Sequence, residues 1–249
     1  MQGTYRKPFI LDCGARRYLF FNFDRIESLM HRDHPDSLCL RYTKKMMTFL
    51  LFNPHPERIL LLGLGGGSLA KFCYRCLPSS IITVLEIDPD VLALREEFRV
   101  PSDNDRFRVL QGDGVSYVAG KGPSKDVILV DAYDRNGVAP NLVTARFYLE
   151  VKHRLSASGV LVVNVFGDEY ERLSHTALIR SVFAERVIAL PVCGYSNLIV
   201  LAFRSDSALL NWERLEPLAY ALEGHFGLNF SHYLRQIVRE ITESTACAT

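Results

Sequence analysis

The stretch RILLLGLGGGSLAKFC, residues 58–73, joins an apolar run to a glycine-rich turn and then to a segment with helical spacing. A strand that ends in glycines and runs into a helix brings backbone N–H groups close to a ligand. The next apolar run, ITVLEIDPD at 82–90, carries Glu86 at its end. A carboxylate at this place can accept hydrogen bonds from both hydroxyls of a ribose. The two segments together predict a nucleotide-like ligand on an α/β sheet.

Apolar runs and helical segments alternate over most of the chain. Strands are predicted at 59–62, 81–87, 106–111, 127–130 and 160–166, and helices at 67–77, 89–98, 114–119 and 144–155. Because several of these strands are uniformly apolar and separated by helices, they indicate a parallel sheet that is covered on both faces.

The last part of the chain has a different pattern. A predicted helix at 169–183 precedes ERVIALPV (185–192) and SNLIVLAF (196–203). The link between these two runs is short, which favours an antiparallel pair because a parallel connection needs a dozen or more residues. We therefore expect an α/β fold with a mostly parallel, Rossmann-like sheet of seven strands that ends in an antiparallel hairpin. Helices are predicted to follow at 208–224 and 231–242.

The first 52 residues are predicted to form a small unit of their own. TYRKPFIL and RRYLFFNF flank a turn at 12–15, which is typical of a β-hairpin. The polar, proline-bearing segment 25–38 is predicted to be a loop, and 40–52 a linker helix. Since Pro54 and Pro56 end that helix, we expect one unit at 1–52 and an adenosyl-binding catalytic domain at 53–249.

Composition limits the class of partner. Lys and Arg number 29 against 28 Asp and Glu, a formal net charge of +1, which argues against nucleic acid as an obligate partner. No apolar run approaches the roughly 20 residues of a membrane span, and the start lacks a signal-peptide core. The six cysteines and seven histidines show no metal-ligand spacing, so no metal is expected. We expect a protein of the reducing cytoplasm.

The third and fourth strands also end in acids. Asp113 lies in QGDG at 111–114, where it can accept a hydrogen bond from an adenine amine or can cap the helix that follows. An acid after the second strand and another after the third fit an S-adenosylmethionine-type ligand better than a dinucleotide. The expected ligand-binding residues are Gly63, Gly65, Gly66, Gly67, Glu86, Asp113 and Gly114.

Asp131 and Asp134 follow the fourth strand in DVILVDAYDRNGVAP, residues 126–140. Doubly wound sheets bind their ligands at this edge. Two carboxylates beside a sulfonium group can hold a cationic amine and accept a proton from the nitrogen that attacks. The alternative is structural, with Asp131 ending a strand and Asp134 starting a turn.

In their order and spacing, GLGGGSLAK, LEIDPDV, QGDG and VDAYDRNGVAP resemble the spermidine synthase (polyamine aminopropyltransferase) family, within the class I methyltransferase-like superfamily. The resemblance implies an N-terminal β-domain, a Rossmann-like catalytic domain and a homodimer. It also implies transfer of an aminopropyl group from decarboxylated S-adenosylmethionine to a small-molecule di- or polyamine, which leaves methylthioadenosine.

The resemblance assigns roles to individual positions. Glu86 matches the ribose ligand and Asp113 the adenine ligand, while Asp131 matches the acid that assists amine deprotonation. Asp134 matches the second acid of the motif. On the substrate side, Tyr42 falls near a family tyrosine that lines the polyamine channel. Glu27 is also expected to bind substrate, at a position where the family often has glutamine.

The chain also departs from the family pattern. Gly66 stands where the family has an aspartate that binds the aminopropyl amine, and Lys44 and Arg135 add positive charge near the expected entrance for a diamine. Two alternatives therefore stay open: an S-adenosylmethionine-dependent methyltransferase, which would accept the intact donor, and a non-catalytic adenosyl-binding homologue.

Overall fold

A computed structural model describes residues 7–23, 25–134, 137–184, 186–205 and 212–246, and it leaves the side chains of 134, 137, 138, 212 and 244–246 undescribed. The strands are β1 (Phe9–Cys13), β2 (Arg16–Phe20), β3 (Ser28–His31), β4 (Arg58–Leu62), β5 (Ile81–Glu86), β6 (Phe107–Gln111), β7 (Lys125–Val130), β8 (Tyr133–Asp134), β9 (Gly137–Val138), β10 (Leu155–Phe166), β11 (Val187–Pro191) and β12 (Asn197–Phe203).

The α-helices are α1 (Arg41–Met46), α2 (Ser68–Cys76), α3 (Pro89–Leu92), α4 (Gly114–Ala119), α5 (Ala145–Arg154), α6 (Glu169–Phe183), α7 (Trp212–Phe226) and α8 (Phe230–Ala246). Short 3₁₀ segments follow α1 at Met47–Leu51 and precede α5 at Pro140–Leu142. The helix predicted at 40–52 is thus an α-helix followed by a 3₁₀ turn. The helix predicted at 89–98 is shorter than expected, since the α-helix ends at Leu92.

The main sheet has the seven predicted strands, in the spatial order β11-β12-β10-β7-β4-β5-β6. The pairs β4–β5, β4–β7, β5–β6 and β7–β10 are parallel, whereas β12 is antiparallel to both β10 and β11. The expected mostly parallel sheet with an antiparallel terminal hairpin is confirmed. The carboxyl ends of β4, β5, β6 and β7 therefore meet at one edge, where doubly wound folds bind ligands.

Both faces of the sheet are covered. Leu61, Val84 and Leu129 belong to one buried apolar cluster, while Leu60 and Ile128 belong to the cluster on the other face. Successive residues of a strand point to opposite faces, so these uniformly apolar runs supply two cores at once.

The N-terminal unit has three strands, not the two of the predicted hairpin. β3 comes from the segment predicted as a loop, and it pairs antiparallel with β2. Ser28 and Met30 are buried, whereas the neighbours of each are half-buried, which is the alternation of a strand with one covered face. The strand was not predicted because its alternation of buried and half-buried residues extends over only four positions and charged residues flank it. Leu19 and Met30 pack on Phe98, which lies after α3.

Residues 41–51 pack into the core of the main sheet, together with Phe203 and with Leu215 of α7. The division of the chain at residues 52 and 53 stays a prediction. Helices α7 and α8 cover the same core through Leu222, Phe230 and Ile237. Among the described residues, no helix is long and apolar enough to cross a membrane.

The first turn of the glycine-rich loop requires glycine. Gly63 has φ +98°, and a Cβ there would overlap the backbone carbonyl of Asp131. We expect Gly63→Ala to lower the free energy of unfolding by about 2 kcal/mol or more, because it adds an overlap with rigid backbone to the strain of a positive φ. Denaturant unfolding measures this change.

Gly65→Ala is the matched control, since Gly65 has φ +51° and no atom within 4 Å of an added Cβ. This control should cost only the conformational term, about 1 kcal/mol. Equal losses for the two variants would contradict the packing explanation.

Candidate active site

The carboxylate of Glu86 fixes the shape of the glycine-rich loop. Its Oε2 accepts a hydrogen bond from the backbone N–H of Leu64 at 2.9 Å, and its Oε1 accepts one from the backbone N–H of Asp88 at 2.9 Å. Glu86 is only 8% exposed. Each oxygen of a carboxylate can accept more than one hydrogen bond, so these two contacts leave capacity for a ligand.

A cavity of about 960 Å³ lies at the carboxyl edge of the sheet, between the ends of β4 to β7 and the N-terminal unit. This volume falls within the usual range for small-molecule sites. Its wall includes most of the residues predicted from the sequence, namely Glu27, Tyr42, Gly63, Gly65, Glu86, Asp113, Gly114 and Asp131. One end lies at β5 and β6, and we call it the nucleoside end. The other lies around Asp131, and we call it the amine end.

Asp113 caps α4 at the nucleoside end. Its carboxylate accepts hydrogen bonds from Val115 N at 3.2 Å, Ser116 N at 3.0 Å and Ser116 Oγ at 2.7 Å. Partial burial acts to raise the pKa of Asp113, but the hydrogen bonds from Ser116 and Val115 hold that pKa below its usual value. The capping role considered above is therefore present, in a side chain that also lines the cavity.

Gly66 and Gly67 do not belong to the described cavity wall. A Cβ on Gly66 would lie 2.6 Å from Ser28 Oγ and 2.8 Å from Phe98 Cδ1, and one on Gly67 would lie 2.5 Å from Val100. These glycines allow the loop to pack closely against β3 and the segment after α3. Since Ser28 occupies the space beside Gly66, an aspartate cannot enter there without movement of its neighbours.

Asp131 is held in place by side chains from two other elements. Tyr42 of α1 donates a hydrogen bond to Oδ2 at 3.2 Å, and Asn164 of β10 donates one to Oδ1 at 2.8 Å. Asn197 of β12 donates in turn to Asn164 Oδ1 at 2.9 Å. Sequence reasoning missed both asparagines, although a polar residue within a buried apolar strand is a usable signal.

The surroundings of Asp131 favour a proton acceptor. Burial raises the pKa of Asp131, an effect that the hydrogen bonds from Asn164 and Tyr42 and the charge of Arg25 reduce in part. Burial and the nearby Asp131 keep the pKa of Tyr42 well above 10, so its hydroxyl stays a donor. A carboxylate with a raised pKa is suited to general-base catalysis.

Arg25 is the basic side chain on the described cavity wall, and the sequence did not point to it. Its Nε donates a hydrogen bond to Oε1 of Glu27 at 2.9 Å, and its Nη2 forms an ion pair with the same oxygen at 2.9 Å. Its guanidinium carbon lies 5.0 Å from the ring centroid of Phe166 and 5.7 Å from that of Tyr133. Lys44 does not line the cavity.

Two expected positions lie partly or wholly outside the described residues. Asp134 belongs to β8 through its backbone, but its side chain is undescribed, and Arg135 is not described at all. The catalytic assignment of Asp134 stays a prediction.

The sheet order defines a Rossmann-like fold, with an acid-lined cavity at the carboxyl edge of its sheet. The spermine/spermidine synthase domain family matches residues 40–196. A polyamine aminopropyltransferase of Chromobacterium violaceum is 37% identical over 234 residues, which cover 94% of this chain and 89% of the relative. One of Neisseria meningitidis serogroup A is 36% identical, covering 89% of this chain and 85% of the relative. The chain belongs to the spermine/spermidine synthase family.

Solved structures share this fold. A probable spermidine synthase from Corynebacterium glutamicum has a TM-score of 0.73 at 21% identity, covering 90% of this chain and 86% of its own. Human methyltransferase-like protein 13 in complex with SAH has a TM-score of 0.69 at 29% identity, covering 76% of this chain and 93% of its own. The same fold therefore occurs in a probable spermidine synthase and in a methyltransferase-like protein.

The hydroxyl of Tyr42 should control the proton affinity of Asp131. We expect Tyr42→Phe to raise the pKa of Asp131 further, because the change removes a hydrogen bond that stabilises the carboxylate. Carboxyl-carbon NMR titration would measure this pKa, with the signal assigned through Asp131→Asn.

Tyr148→Phe is the matched control, since it removes a buried hydroxyl that contacts His175 and not Asp131. An unchanged Asp131 pKa in Tyr42→Phe, or an equal shift in Tyr148→Phe, would contradict the assigned contact.

Proposed function

We propose that this protein is an aminopropyltransferase that moves an aminopropyl group from decarboxylated S-adenosylmethionine to the nitrogen of a small di- or polyamine. The observation that carries the proposal is the carboxylate of Asp131, held by Tyr42 and Asn164 at the amine end of a cavity whose other end carries Glu86 and Asp113. Membership of the spermine/spermidine synthase family supports the same reaction.

The nucleoside of the donor binds at β5 and β6 in this proposal. Glu86 accepts hydrogen bonds from the ribose hydroxyls, and Asp113 accepts one from the adenine amine while it caps α4. The loop that begins at Gly63 and Gly65 lets the donor approach the backbone closely. The reacting carbon then lies toward Asp131.

Asp131 acts on the acceptor amine. The nitrogen lone pair forms a bond to the propyl carbon next to sulfur, the carbon–sulfur bond breaks, and its electron pair stays on the sulfur of methylthioadenosine. Asp131 takes the proton that the nitrogen loses, which its raised pKa assists. Holding donor and amine in line supplies much of the rate. Asp134 is proposed to bind a second ammonium of the acceptor.

The charge of the cavity favours a cationic donor tail. Six acidic side chains line the described wall (Glu27, Glu86, Asp88, Asp90, Asp113 and Asp131), against Arg25 as the base. A wall with this excess of acids repels the carboxylate of the intact donor, whereas it attracts the ammonium that is the only charge on the tail of the decarboxylated donor. The proposal includes a homodimer. It also includes a location in the reducing cytoplasm, with which the free thiols of the described cysteines agree.

Asp131→Asn tests the proposed base. We expect kcat to fall by roughly 10² to 10⁴-fold, because the amide cannot accept the proton, while the affinity for methylthioadenosine changes by less than about threefold. Product analysis gives the rate and calorimetry gives the affinity.

Asp12→Asn is a control for the change of acid to amide. Asp12 pairs with Arg17 on the outer end of β1, away from the cavity. Activity that survives in Asp131→Asn at the level of this control would contradict the catalytic assignment.

A methyltransferase is the second candidate. The human methyltransferase-like protein 13 structure and a human eEF1A lysine and N-terminal methyltransferase, 35% identical over 147 residues, favour it, although this chain covers only 21% of the latter protein. Ser28 and Ser68, whose hydroxyls lie 3.3 Å apart beside Gly66, present neutral groups that can contact either donor tail.

Donor binding separates the two candidates. The excess of wall acids leads us to expect the decarboxylated donor to bind at least about tenfold more tightly than S-adenosylmethionine, a difference of about 1.4 kcal/mol. Calorimetry with both donors measures it. A preference for the intact donor would favour methyl transfer instead, and binding of neither donor would contradict both transferase candidates.

A further inference from the structure

Two asparagines interrupt the apolar sequence of adjacent strands of the main sheet. Asn164 of β10 is 4% exposed and Asn197 of β12 is 9% exposed. In the antiparallel pair of strands, Asn164 lies opposite Ile199 and Asn197 lies opposite Phe166. The two asparagines are therefore diagonal neighbours on one face of the sheet, a distance that long side chains can bridge.

Asp131 lies next to the first of these asparagines. Val163 of β10 pairs with Val130, the last residue of β7, so the residues that follow are Asn164 and Asp131. Asn197 Nδ2 donates to Asn164 Oδ1 at 2.9 Å, and Asn164 Nδ2 donates to Asp131 Oδ1 at 2.8 Å. We call this series the amide row. Its hydrogen bonds run in one direction, from β12 through β10 to the carboxylate.

The charge of Asp131 decides the direction of the amide row. A carboxylate accepts hydrogen bonds but has no hydrogen to donate, so Asn164 must turn its amide nitrogen toward Asp131. The amide oxygen of Asn164 then needs a donor on its other side, because a buried polar atom without a partner is costly. Asn197 supplies that donor. A reversed Asn164 amide would place oxygen against oxygen at Asp131 and nitrogen against nitrogen at Asn197.

The turn that precedes Asn197 is held from two helices. Arg41 of α1 donates from Nη1 to the carbonyl oxygen of Cys193 at 3.2 Å. Arg172 of α6 donates from Nη1 to the carbonyl oxygen of Ser196 at 3.2 Å. These contacts fix the start of β12 against α1 and α6, and the amide of Asn197 is fixed with it.

We propose that Asn197 is a positioning residue, which acts through Asn164 to keep an amide nitrogen, and not an amide oxygen, against the proposed base Asp131. The inference rests on the proposed function for the role of Asp131 as a base. It gives the terminal hairpin of β11 and β12 a part in catalysis, since that hairpin carries the donor. With the Asn164 amide fixed in this direction, a protonated Asp131 finds no acceptor there, so the amide row favours the ionised form.

Four other described side chains act on Asp131 or on its partners. Tyr42 donates to Asp131 Oδ2, and the charge of Arg25 favours the ionised carboxylate. Burial and the nearby Asp131 raise the pKa of Tyr133, and Glu27 acts in the same direction on the hydroxyls of Tyr42 and Tyr133. All four side chains are kept in the variants below, so a change at Asn197 is measured against the same surroundings.

NMR of the wild-type protein tests the orientation of the Asn164 amide. We expect one side-chain amide proton of Asn164 to move downfield as Asp131 loses its proton, with the same midpoint as the carboxyl carbon of Asp131, because a hydrogen bond to a carboxylate is stronger than one to a neutral carboxyl group. Amide protons of Asn164 that do not follow the titration of Asp131 would overturn the inference. Since this comparison needs no change at Asn197, it tests the inference even if the variants below fail to fold.

Three variants test the role of Asn197. Asn197→Leu removes the donor and keeps a similar side-chain size, and we expect the pKa of Asp131 to rise by about 0.5 or more, since the Asn164 amide can then reverse when Asp131 is protonated. Asn197→Gln keeps an amide donor and should leave that pKa within about 0.3 of its wild-type value. Ser80→Ala is the matched control, because it also removes a buried donor, which bonds the carbonyl oxygen of Pro56 at the opposite edge of the sheet. No change in the pKa of Asp131 is expected in this control.

An unchanged Asp131 pKa in Asn197→Leu would overturn the inference, as would an equal rise in Ser80→Ala or in Asn197→Gln. Aminopropyl transfer would be assayed in parallel over the same pH range. We expect the loss of rate in Asn197→Leu to be largest at low pH and to shrink as the pH rises above the pKa of Asp131, whereas a purely structural loss would be the same at every pH. Absence of transfer by the wild-type protein would count against the proposed function alone, since the NMR measurements do not depend on turnover.

Discussion

The carboxylate of Asp131 is the group on which the arrangement of the cavity depends. It extends from the end of β7, and it is fixed by a tyrosine of α1 and an asparagine of β10. Neither partner is close to Asp131 in sequence, so the acid is oriented only when the linker helix has packed onto the sheet. Burial alone would raise the pKa of Asp131 further, whereas the two hydrogen bonds act to lower it.

Glu86 has a comparable role at the nucleoside end. By accepting N–H groups from Leu64 and Asp88, it ties the loop after β4 to the turn after β5. Gly63 then passes so close to the backbone of Asp131 that no side chain fits between them. The nucleoside end and the amine end are therefore coupled through backbone contacts, and a change in the glycine-rich loop would alter the position of the proposed base.

The fold could be predicted largely because its strands are apolar on both faces. Uniformly apolar runs such as residues 60–62 and 127–130, separated by helical segments, are typical of a parallel sheet that is covered on both faces. β3 could not be predicted, since four residues between charged neighbours give too little alternation. The acids at strand ends were found for a topological reason: parallel strands deliver their carboxyl ends to one edge. The contacts of Arg25 depend on tertiary packing, which spacing along the chain does not reveal. Asn164 has a signal in the sequence, as a polar residue in an apolar strand, but its partner Asp131 is set by the fold. Gly66 and Gly67 were predicted to bind the ligand, and this stays a prediction. The structure adds a packing role that the motif does not reveal, since both glycines lie against Ser28, Phe98 or Val100.

The central claim is that one cavity holds a nucleoside at Glu86 and Asp113 and an amine nitrogen at Asp131. A crystal structure with methylthioadenosine and an acceptor amine tests it most directly. The account predicts the ribose hydroxyls on Glu86, the adenine amine on Asp113, and the amine nitrogen within roughly 2.6–3.2 Å of an Asp131 oxygen. A nucleoside bound elsewhere, or an amine that contacts neither oxygen of Asp131, would contradict it.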